Sequence, residues 1–247
     1  MKRILYPGQY PVGSRTGYFI DAIHNHSMRP RVILSNAVSP NGSLTGYDVD
    51  YGVYYPIVLS YRPDAVLAGA DTLLAAPVEI PPEDETDRIK RPAKPGETRP
   101  WLVVVDSRGR LSSVLHFYRR MEYTRDVIVL VSDETPSRYI RFLEDRYYDY
   151  LTVGKDRVDL EIALHSLYQK YHIRTLVSDT GGTLDTVLLA SGLVDEISLV
   201  VAPVLSAQTD VLLFKPEPGT AQNIQLTLKE CGDVGEGYVH LVYGVNR

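Results

Sequence analysis

One stretch decides the fold of this chain: V-S-D-T-G-G-T-L-D-T-V-L-L-A-S-G-L-V-D, residues 177–195. A short β-rich run ends at Val177, and a glycine turn follows at 180–183. Apolar residues then recur at helical spacing until Gly192 stops the helix. A strand, a tight turn and a helix in this order are typical of one unit of an α/β sheet.

The glycine turn has two interpretations. It exposes backbone N–H groups at the positive end of a helix, where anions bind, and two glycines let a phosphate approach closely. The alternative is a tight strand-to-helix connection without a ligand, which the absence of the spacing G-x-G-x-x-G favours when the stretch is taken alone. Asp185, in the first helical turn, is explained by the helix dipole.

Bulk properties predict a globular protein. The chain has 247 residues, 44% hydrophobic and 23% charged, which fits one large α/β domain or two small ones. A net charge of −5 gives no reason to expect nucleic acid as a partner. Cys231 is the only cysteine, so no internal disulfide can form. Without a transmembrane run or a signal-peptide pattern, we expect a cytoplasmic protein and no membrane partner.

The order of the predicted elements indicates the architecture. Residues 1–29 are predicted to be an N-terminal arm with one helical turn at 18–24, and residues 30–247 a single domain. The predicted strands are 31–38, 65–68, 101–106, 127–131, 150–153, 175–178, 196–201, 225–228 and 238–245. The predicted helices are 51–61, 137–146, 160–171 and the one after the glycine turn, and a helical turn is predicted to start at 72–75. This pattern predicts an α/β fold with a mixed, mostly parallel sheet flanked by helices on both faces.

Residues 77–100 break this alternation. The segment holds six prolines and many charges of both signs, P-V-E-I-P-P-E-D-E-T-D-R-I-K-R-P-A-K-P-G-E-T-R-P. It is predicted to be a long loop with little regular structure, either a functional lid or a flexible insertion.

Several predicted loops follow strands and carry polar or glycine residues. They are 39–42, 69–72, 106–107 and 180–183. In open α/β sheets ligands bind beyond the carboxyl ends of parallel strands, so these loops converge if their strands are parallel neighbours. The Ser107 hydroxyl could bond a phosphate oxygen or cap a turn. Asp179 could bind a substrate hydroxyl, transfer a proton or form the turn. The His24–His26 pair has no third ligand, so no metal site is predicted, and without a nucleophile motif hydrolysis is disfavoured.

Five short motifs occur in this chain in a defined order. They are A-V-S-P-N-G at 37–42, A-V-L-A-G-A-D-T-L at 65–73, V-V-D-S-R-G-R at 104–110, D-T-G-G-T-L at 179–184 and G-L-V-D-E at 192–196. Together they resemble the RibD C-terminal reductase domain family, the pyrimidine reductases of riboflavin biosynthesis with a dihydrofolate-reductase-like fold. The corresponding motifs of the family are S-x-D-G, D-A-V-L-V-G-x-x-T-V, V-V-D-S-x-x-R, E-G-G-x-x-L and G-L-V-D-E. Each motif alone is weak, whereas five in sequence order are specific.

The resemblance implies NADPH as the hydride donor and a homodimer as the assembly. The substrate would be 5-amino-6-(5-phosphoribosylamino)uracil or 2,5-diamino-6-ribosylamino-pyrimidinone phosphate, reduced at ribose C1′. The implied cofactor-binding residues are Val38, Gly69, Thr72, Ser107, Gly181, Gly182, Thr183 and Leu184, with the pyrophosphate on the N–H groups of the last four. Ser39, Asn41 and Asp179 would contact the substrate, and Asn41 and Asp179 would be catalytic.

This sequence departs from the family on the substrate side. Asn41 stands where the family has Asp, so the position cannot titrate. After Thr72 the family has T-V-L-x-D-D-P-x-L-T-x-R, whereas here T-L-L-A-A-P-V-E-I lacks both acids and the arginine that contributes to substrate phosphate binding. Basic residues of the long loop, namely Arg88, Lys90, Arg91 and Lys94, either replace that arginine or are solvated charges. Two alternatives therefore stay open: a divergent family reductase for another small carbonyl or imine, and a non-catalytic nucleotide-binding protein.

Overall fold

A computed structural model describes residues 28–76, 78–92, 94–208, 210–215 and 223–246. Most of the predicted N-terminal arm, including the helical turn at 18–24, lies outside the described residues. The strands are β1 Arg31–Val38, β2 Ala65–Gly69, β3 Trp101–Val105, β4 Val127–Val131, β5 Asp149–Thr152, β6 Thr175–Ser178, β7 Glu196–Val201, β8 Leu226–Asp233 and β9 Val239–Val245. The helices are α1 Tyr51–Ser60, α2 Ala70–Ala75, α3 Leu115–Arg120, α4 Ser137–Asp145, α5 Leu160–Tyr171 and α6 Thr183–Ala190, with 3-10 turns at Glu85–Arg88 and Leu111–Ser113.

All nine strands lie in one sheet in the order β5-β4-β3-β2-β6-β1-β7-β9-β8. Strands β1 to β7 are parallel, and β9 pairs antiparallel with β7 and β8. The interior strand β1 has Arg31 beside Thr175 in β6, and its last residue, Val38, beside Val201 in β7. The prediction of a mixed, mostly parallel sheet is confirmed.

Helices cover both faces of the sheet. Leu167 of α5 and Leu188 of α6 pack in one apolar cluster with alternate residues of β1 to β4, while α3 and α4 pack on the opposite face. Helix α1 joins α3 and α4 on that face, where it buries Tyr54 and Val58. The strands are nearly continuous apolar runs because both of their faces are buried, as in β4, V-I-V-L-V, which is buried throughout.

The long loop has little regular structure, as predicted, but ion pairs hold it in place. Asp87, in its 3-10 turn, is 3% exposed and accepts hydrogen bonds from the guanidinium of Arg120 in α3. Glu83 accepts two from Arg146, which follows α4. The loop therefore docks on α3 and α4.

Candidate active site

The loops after β1, β2 and β6 meet at the carboxyl edge of the sheet because these three strands are neighbours. Thr72 Oγ1 lies 2.8 Å from Thr180 Oγ1, and the Asn36 side-chain amide donates to the Thr180 carbonyl. A Cβ atom on Gly69 would lie 3.5 Å from Thr180 Oγ1 and 3.7 Å from Leu184 Cδ2. The predicted convergence of 69–72 and 180–183 is therefore present.

The glycine turn leaves the start of α6 without a side-chain cap. Gly182 is the N-cap residue, with φ 60° and ψ −115°. Residues other than glycine rarely adopt this backbone conformation. A Cβ on Gly181 would lie 2.4 Å from Leu44 Cδ1, so its absence also allows Leu44 to pack closely. The first N–H groups of α6 have no side-chain acceptor and are available to an anion.

A cavity of ≈ 2300 Å³ opens at this edge. The cavity extends beyond this edge, along α6 to Gly192 and to Trp101 at the start of β3. Five of the predicted site residues line it: Thr72, Asp179, Gly181, Gly182 and Thr183. Arg157 and Lys215 also line it and add positive charge.

The other predicted site residues lie near the cavity but do not line it. They are Val38, Ser39, Asn41, Gly69, Ser107 and Leu184. Asn41 Oδ1 accepts from the Ser39 hydroxyl (2.8 Å) and the Ser206 N–H (3.1 Å), and Asn41 Nδ2 donates to the Ser206 carbonyl (2.9 Å). Ser107 Oγ accepts from the Val158 N–H at 3.0 Å. In this structure Asn41 and Ser107 thus hold loops to one another.

Tyr54 in α1 is a residue of this site that sequence reasoning missed. It is 3% exposed, and its hydroxyl lies 2.7 Å from both the Ser35 carbonyl and Asp179 Oδ1. Asp50 is the N-cap residue of α1 and its carboxylate accepts from the Gly52 N–H, so the helix begins at Tyr51 and Tyr54 lies in its first turn. Because Tyr54 and Asp179 are 125 residues apart, no local pattern signals the contact.

Residues 59–240 match the model of the RibD C-terminal domain. The chain belongs to this family.

Relatives with reductase names support this assignment. The chain is 30% identical over 222 residues to the 2,5-diamino-6-ribosylamino-4(3H)-pyrimidinone 5′-phosphate reductase of Methanothermobacter thermautotrophicus, an alignment that covers 86% of this chain and 97% of that protein. A pyrimidine reductase-like protein from Corynebacterium diphtheriae has a similar fold, with a TM-score of 0.66 and 20% identity over 88% of this chain and 92% of that one. Acinetobacter baumannii RibD has a TM-score of 0.64 and 21% identity to this chain. That match covers 89% of this chain and 59% of RibD.

Two carboxyl groups of this RibD C-terminal domain have perturbed acidity. Burial raises the pKa of Asp179 above its usual range, although the hydrogen bond from Tyr54 acts in the opposite direction. Burial likewise raises the pKa of Asp185 to about 7, opposed by the Ser178 hydroxyl and reinforced by the charge of Asp179. Asp185 is 0% exposed, so the helix dipole alone does not account for it. With a pKa of about 7, Asp185 can hold a proton near neutral pH, and the pKa of Asp179 is shifted in the same direction.

The basic residues of the long loop are not part of the cavity lining. None of Arg88, Lys90, Arg91 and Lys94 lines the cavity, and Arg88 pairs with Glu83 at 3.3 Å. Among the described residues, no helix is long and apolar enough to cross a membrane. The same part of the chain holds no cluster of three or more His, Cys, Asp or Glu side chains that could bind a metal ion.

Proposed function

We propose that this chain is an NADPH-dependent reductase of riboflavin biosynthesis that reduces 2,5-diamino-6-ribosylamino-4(3H)-pyrimidinone 5′-phosphate at ribose C1′. One observation carries the proposal: in a RibD-family chain, the glycine turn, the uncapped start of α6, Thr72 and Asp179 line a single cavity. The related substrate 5-amino-6-(5-phosphoribosylamino)uracil has the same reacting carbon.

The residues around the glycine turn fit a dinucleotide phosphate. The N–H groups of Gly182, Thr183 and Leu184 would hold the pyrophosphate at the positive end of α6. The hydroxyls of Thr72 and Thr180, 2.8 Å apart, would supply further polar contacts. Arg157 lines the same cavity and would balance phosphate charge. Bound NADPH would supply the hydride.

Asp179 is the proposed catalytic residue on the substrate side. It lines the cavity, remains partly exposed, and directly precedes the glycine turn. Hydride transfer to an imine-like carbon needs orientation and charge placement rather than a nucleophile, and a fixed carboxyl group supplies both. Ser39 and Asn41 would serve the substrate through the shape of loop 39–42, which their mutual hydrogen bond holds.

A second candidate, a divergent family reductase for a small carbonyl or imine without phosphate, is favoured by the lining of the cavity. Among the described residues, helices α1 to α3 contribute no Lys or Arg to it, and its cations are Arg157 and Lys215. A substrate phosphate beside Asp179 would therefore lack a nearby cation from those helices.

A titration followed by a turnover assay separates the candidates. NADPH fluorescence is recorded on adding protein, with NADH in parallel, and oxidation of the bound cofactor is then followed with the pyrimidinone phosphate. Binding with turnover supports the proposal. Binding without turnover favours the divergent reductase or the non-catalytic nucleotide-binding protein, and a panel of small imines and ketones distinguishes these two. Absence of NADPH and NADH binding refutes every reductase assignment.

A further inference from the structure

Three exposed tyrosines line the cavity on the side of α1 and α3. Tyr51, Tyr55 and Tyr123 have exposed fractions of 61%, 40% and 59%. The rings of Tyr51 and Tyr55, one turn apart in α1, stack with their centroids 5.4 Å apart. Tyr123 follows α3, and its hydroxyl donates to Met121 Sδ at 2.6 Å. We call these three tyrosines the aromatic wall, and exposed aromatic side chains grouped in one place usually mark a binding surface.

The aromatic wall borders a groove on one face of the sheet. Helices α1 and α3 pack on the same face, and Val66 and Ala68 of β2 line the cavity there. Helix α2 ends at Ala75, and the long loop that follows docks on α3 and α4. The groove therefore stays open, and it reaches Asp179, whose carboxyl group lies 2.7 Å from the Tyr54 hydroxyl of α1.

The aromatic wall carries no charge. Burial raises the pKa of Tyr55 and of Tyr123, and a charge on Asp179 acts in the same direction, so both phenols stay neutral at physiological pH. Among the described residues, α1 to α3 contribute no Lys or Arg to the cavity, so this part of it does not select an anion. A neutral groove with exposed aromatic rings suits a planar heterocycle, which is stabilised by stacking on them.

We propose that the aromatic wall is the subsite for the pyrimidine ring of the substrate, with Tyr55 and Tyr123 as its specificity-determining residues. The ring would stack on these side chains, and the ribose would extend toward Asp179. This inference rests on the proposed function, from which it takes the heterocycle, and deepens it by naming the part of the substrate that is recognised.

The proposal also accounts for a departure from the family. The arginine that contributes to substrate phosphate binding in the family is missing after Thr72, whereas Tyr55 and Tyr123 lie outside all five sequence motifs. Recognition in this chain would therefore depend on the ring more than on the phosphate.

Calorimetric titration with the free base 2,5,6-triamino-4(3H)-pyrimidinone tests the proposal without turnover. Tyr55→Leu and Tyr123→Leu are each expected to weaken its binding about 10-fold, within the range of a lost base–aromatic stack. Tyr55→Phe keeps the ring and is expected to stay within about twofold of the unaltered protein, because stacking uses the face of the ring and not the hydroxyl. Both tyrosines are exposed, so Leu is expected to leave the fold intact.

The matched control is Tyr147→Leu, at a 56% exposed tyrosine after α4 that does not line the cavity. It should bind the base as the unaltered protein does. Ribose 5-phosphate, the other half of the substrate, should bind equally to all of these proteins. If Tyr55→Leu and Tyr123→Leu bind the base normally, or lose affinity for ribose 5-phosphate instead, the proposal is wrong.

Two further measurements identify other occupants of the aromatic wall. NADPH Kd should be the same in Tyr55→Leu and in the unaltered protein, and a higher Kd with unchanged affinity for the base would assign the wall to the cofactor. Light scattering should give the same mass for both proteins. A changed mass with unchanged affinity for the base would assign the wall to a contact between copies of the chain. Either of these results would overturn the proposal.

Steady-state kinetics connect the subsite to the reaction. With the pyrimidinone phosphate, KM is expected to rise about 10-fold in Tyr55→Leu while kcat changes little, because stacking holds the ring equally before and during hydride transfer. A fall in kcat with unchanged KM would contradict the proposed role. Base binding that depends on Tyr55 would support the subsite even if NADPH were not oxidised, so failure of the proposed function is distinguishable from failure of this inference.

Discussion

Asp185 is a fully buried carboxyl group whose two oxygens have different environments. Oδ1 accepts from the Ser178 hydroxyl at 3.0 Å, whereas Oδ2 has no partner among the described residues. A buried carboxylate in that setting is costly, so the group is neutral over most of the acid range. Sequence reasoning identified its place in the first turn of α6 correctly but had no means to detect its burial, which depends on β6 and on the core beneath it.

We expect Asp185→Asn to stabilise the protein in a pH-dependent way. Below the ordinary Asp pKa of 3.8, Asp185 is protonated in both the folded and the unfolded state. It therefore does not lower the free energy of unfolding there. As the pH rises from there to about 7, ionisation favours the unfolded state, so the stability of the unaltered protein declines. The gain from Asn should grow across this window to roughly 2–4 kcal/mol and level off above it.

Urea unfolding at pH 5 and pH 8 measures this gain, with the exposed Asp145→Asn as the control. A gain of equal size at both pH values would contradict the assigned acidity of Asp185.

Gly182 offers a test of the phosphate site. In Gly182→Ala, the positive φ of 60° strains the turn by about 1–2 kcal/mol and shifts the N–H groups at the start of α6. NADPH Kd is therefore expected to rise at least 10-fold. Gly235→Ala, at φ 91° in the β8–β9 connection and with open space around its Cβ, should lose similar stability but keep the affinity. Equal Kd values in the two variants, measured by fluorescence titration, would place the pyrophosphate elsewhere.

At the scale of elements, the hydrophobic pattern of the sequence correctly predicted those helices and strands whose bounds depend on nearby residues. The bounds of α5 and β4 follow from an apolar stripe and an unbroken apolar run, and both match the structure. Helix α3, L-H-F-Y-R-R, was missed because it is short and buries Arg119 with Leu115 and Tyr118, so it shows no polar face. The second half of β8 was missed because its residues are mostly exposed and do not alternate.

The link between the long loop and α3 rests on Arg120. Its guanidinium pairs with buried Asp87, and Arg120→Met would leave that carboxyl group buried without its cation. We expect the 3-10 turn to detach and trypsin to cleave the loop at least 10-fold faster, after Arg88 and Lys90, which are not followed by proline. Arg110→Met, which removes a surface ion pair with Asp71, is the control and should cleave at the unaltered rate. Equal cleavage of both variants would show that apolar contacts hold the loop on the domain without the Arg120–Asp87 ion pair.

At the scale of the molecule, the sequence predicted the strands but not their order. The order depends on contacts between distant parts of the chain, and one of them brings the Asp179 turn between the loops of β1 and β2. The sheet ends at β5 on one side and at β8 on the other, and β8 is exposed along nearly all of its eight residues. Long unpaired edges are usually covered in native proteins.

The homodimer that the resemblance implies therefore has a candidate interface. Leu228, 53% exposed in β8, would be covered by a partner subunit, and Leu228→Lys is expected to shift the protein to monomers. Light scattering coupled to gel filtration measures the mass, and Ile162→Lys, at a 40% exposed position in α5, should leave it unchanged. A Leu228→Lys protein that remains dimeric would exclude this edge.

The position of β1 between β6 and β7 has a consequence for biosynthesis. Strands β2 to β5 are neighbours in both sequence and space and can pair as they leave the ribosome, whereas β1 must wait for Thr175 and then for β7. At about 5–20 residues per second, the delay is on the order of ten seconds. During it, an apolar strand made first is without either of its partners. The nascent chain is thus most exposed to aggregation at β1. This exposure ends only when β6 and β7 have been synthesised and pair with β1.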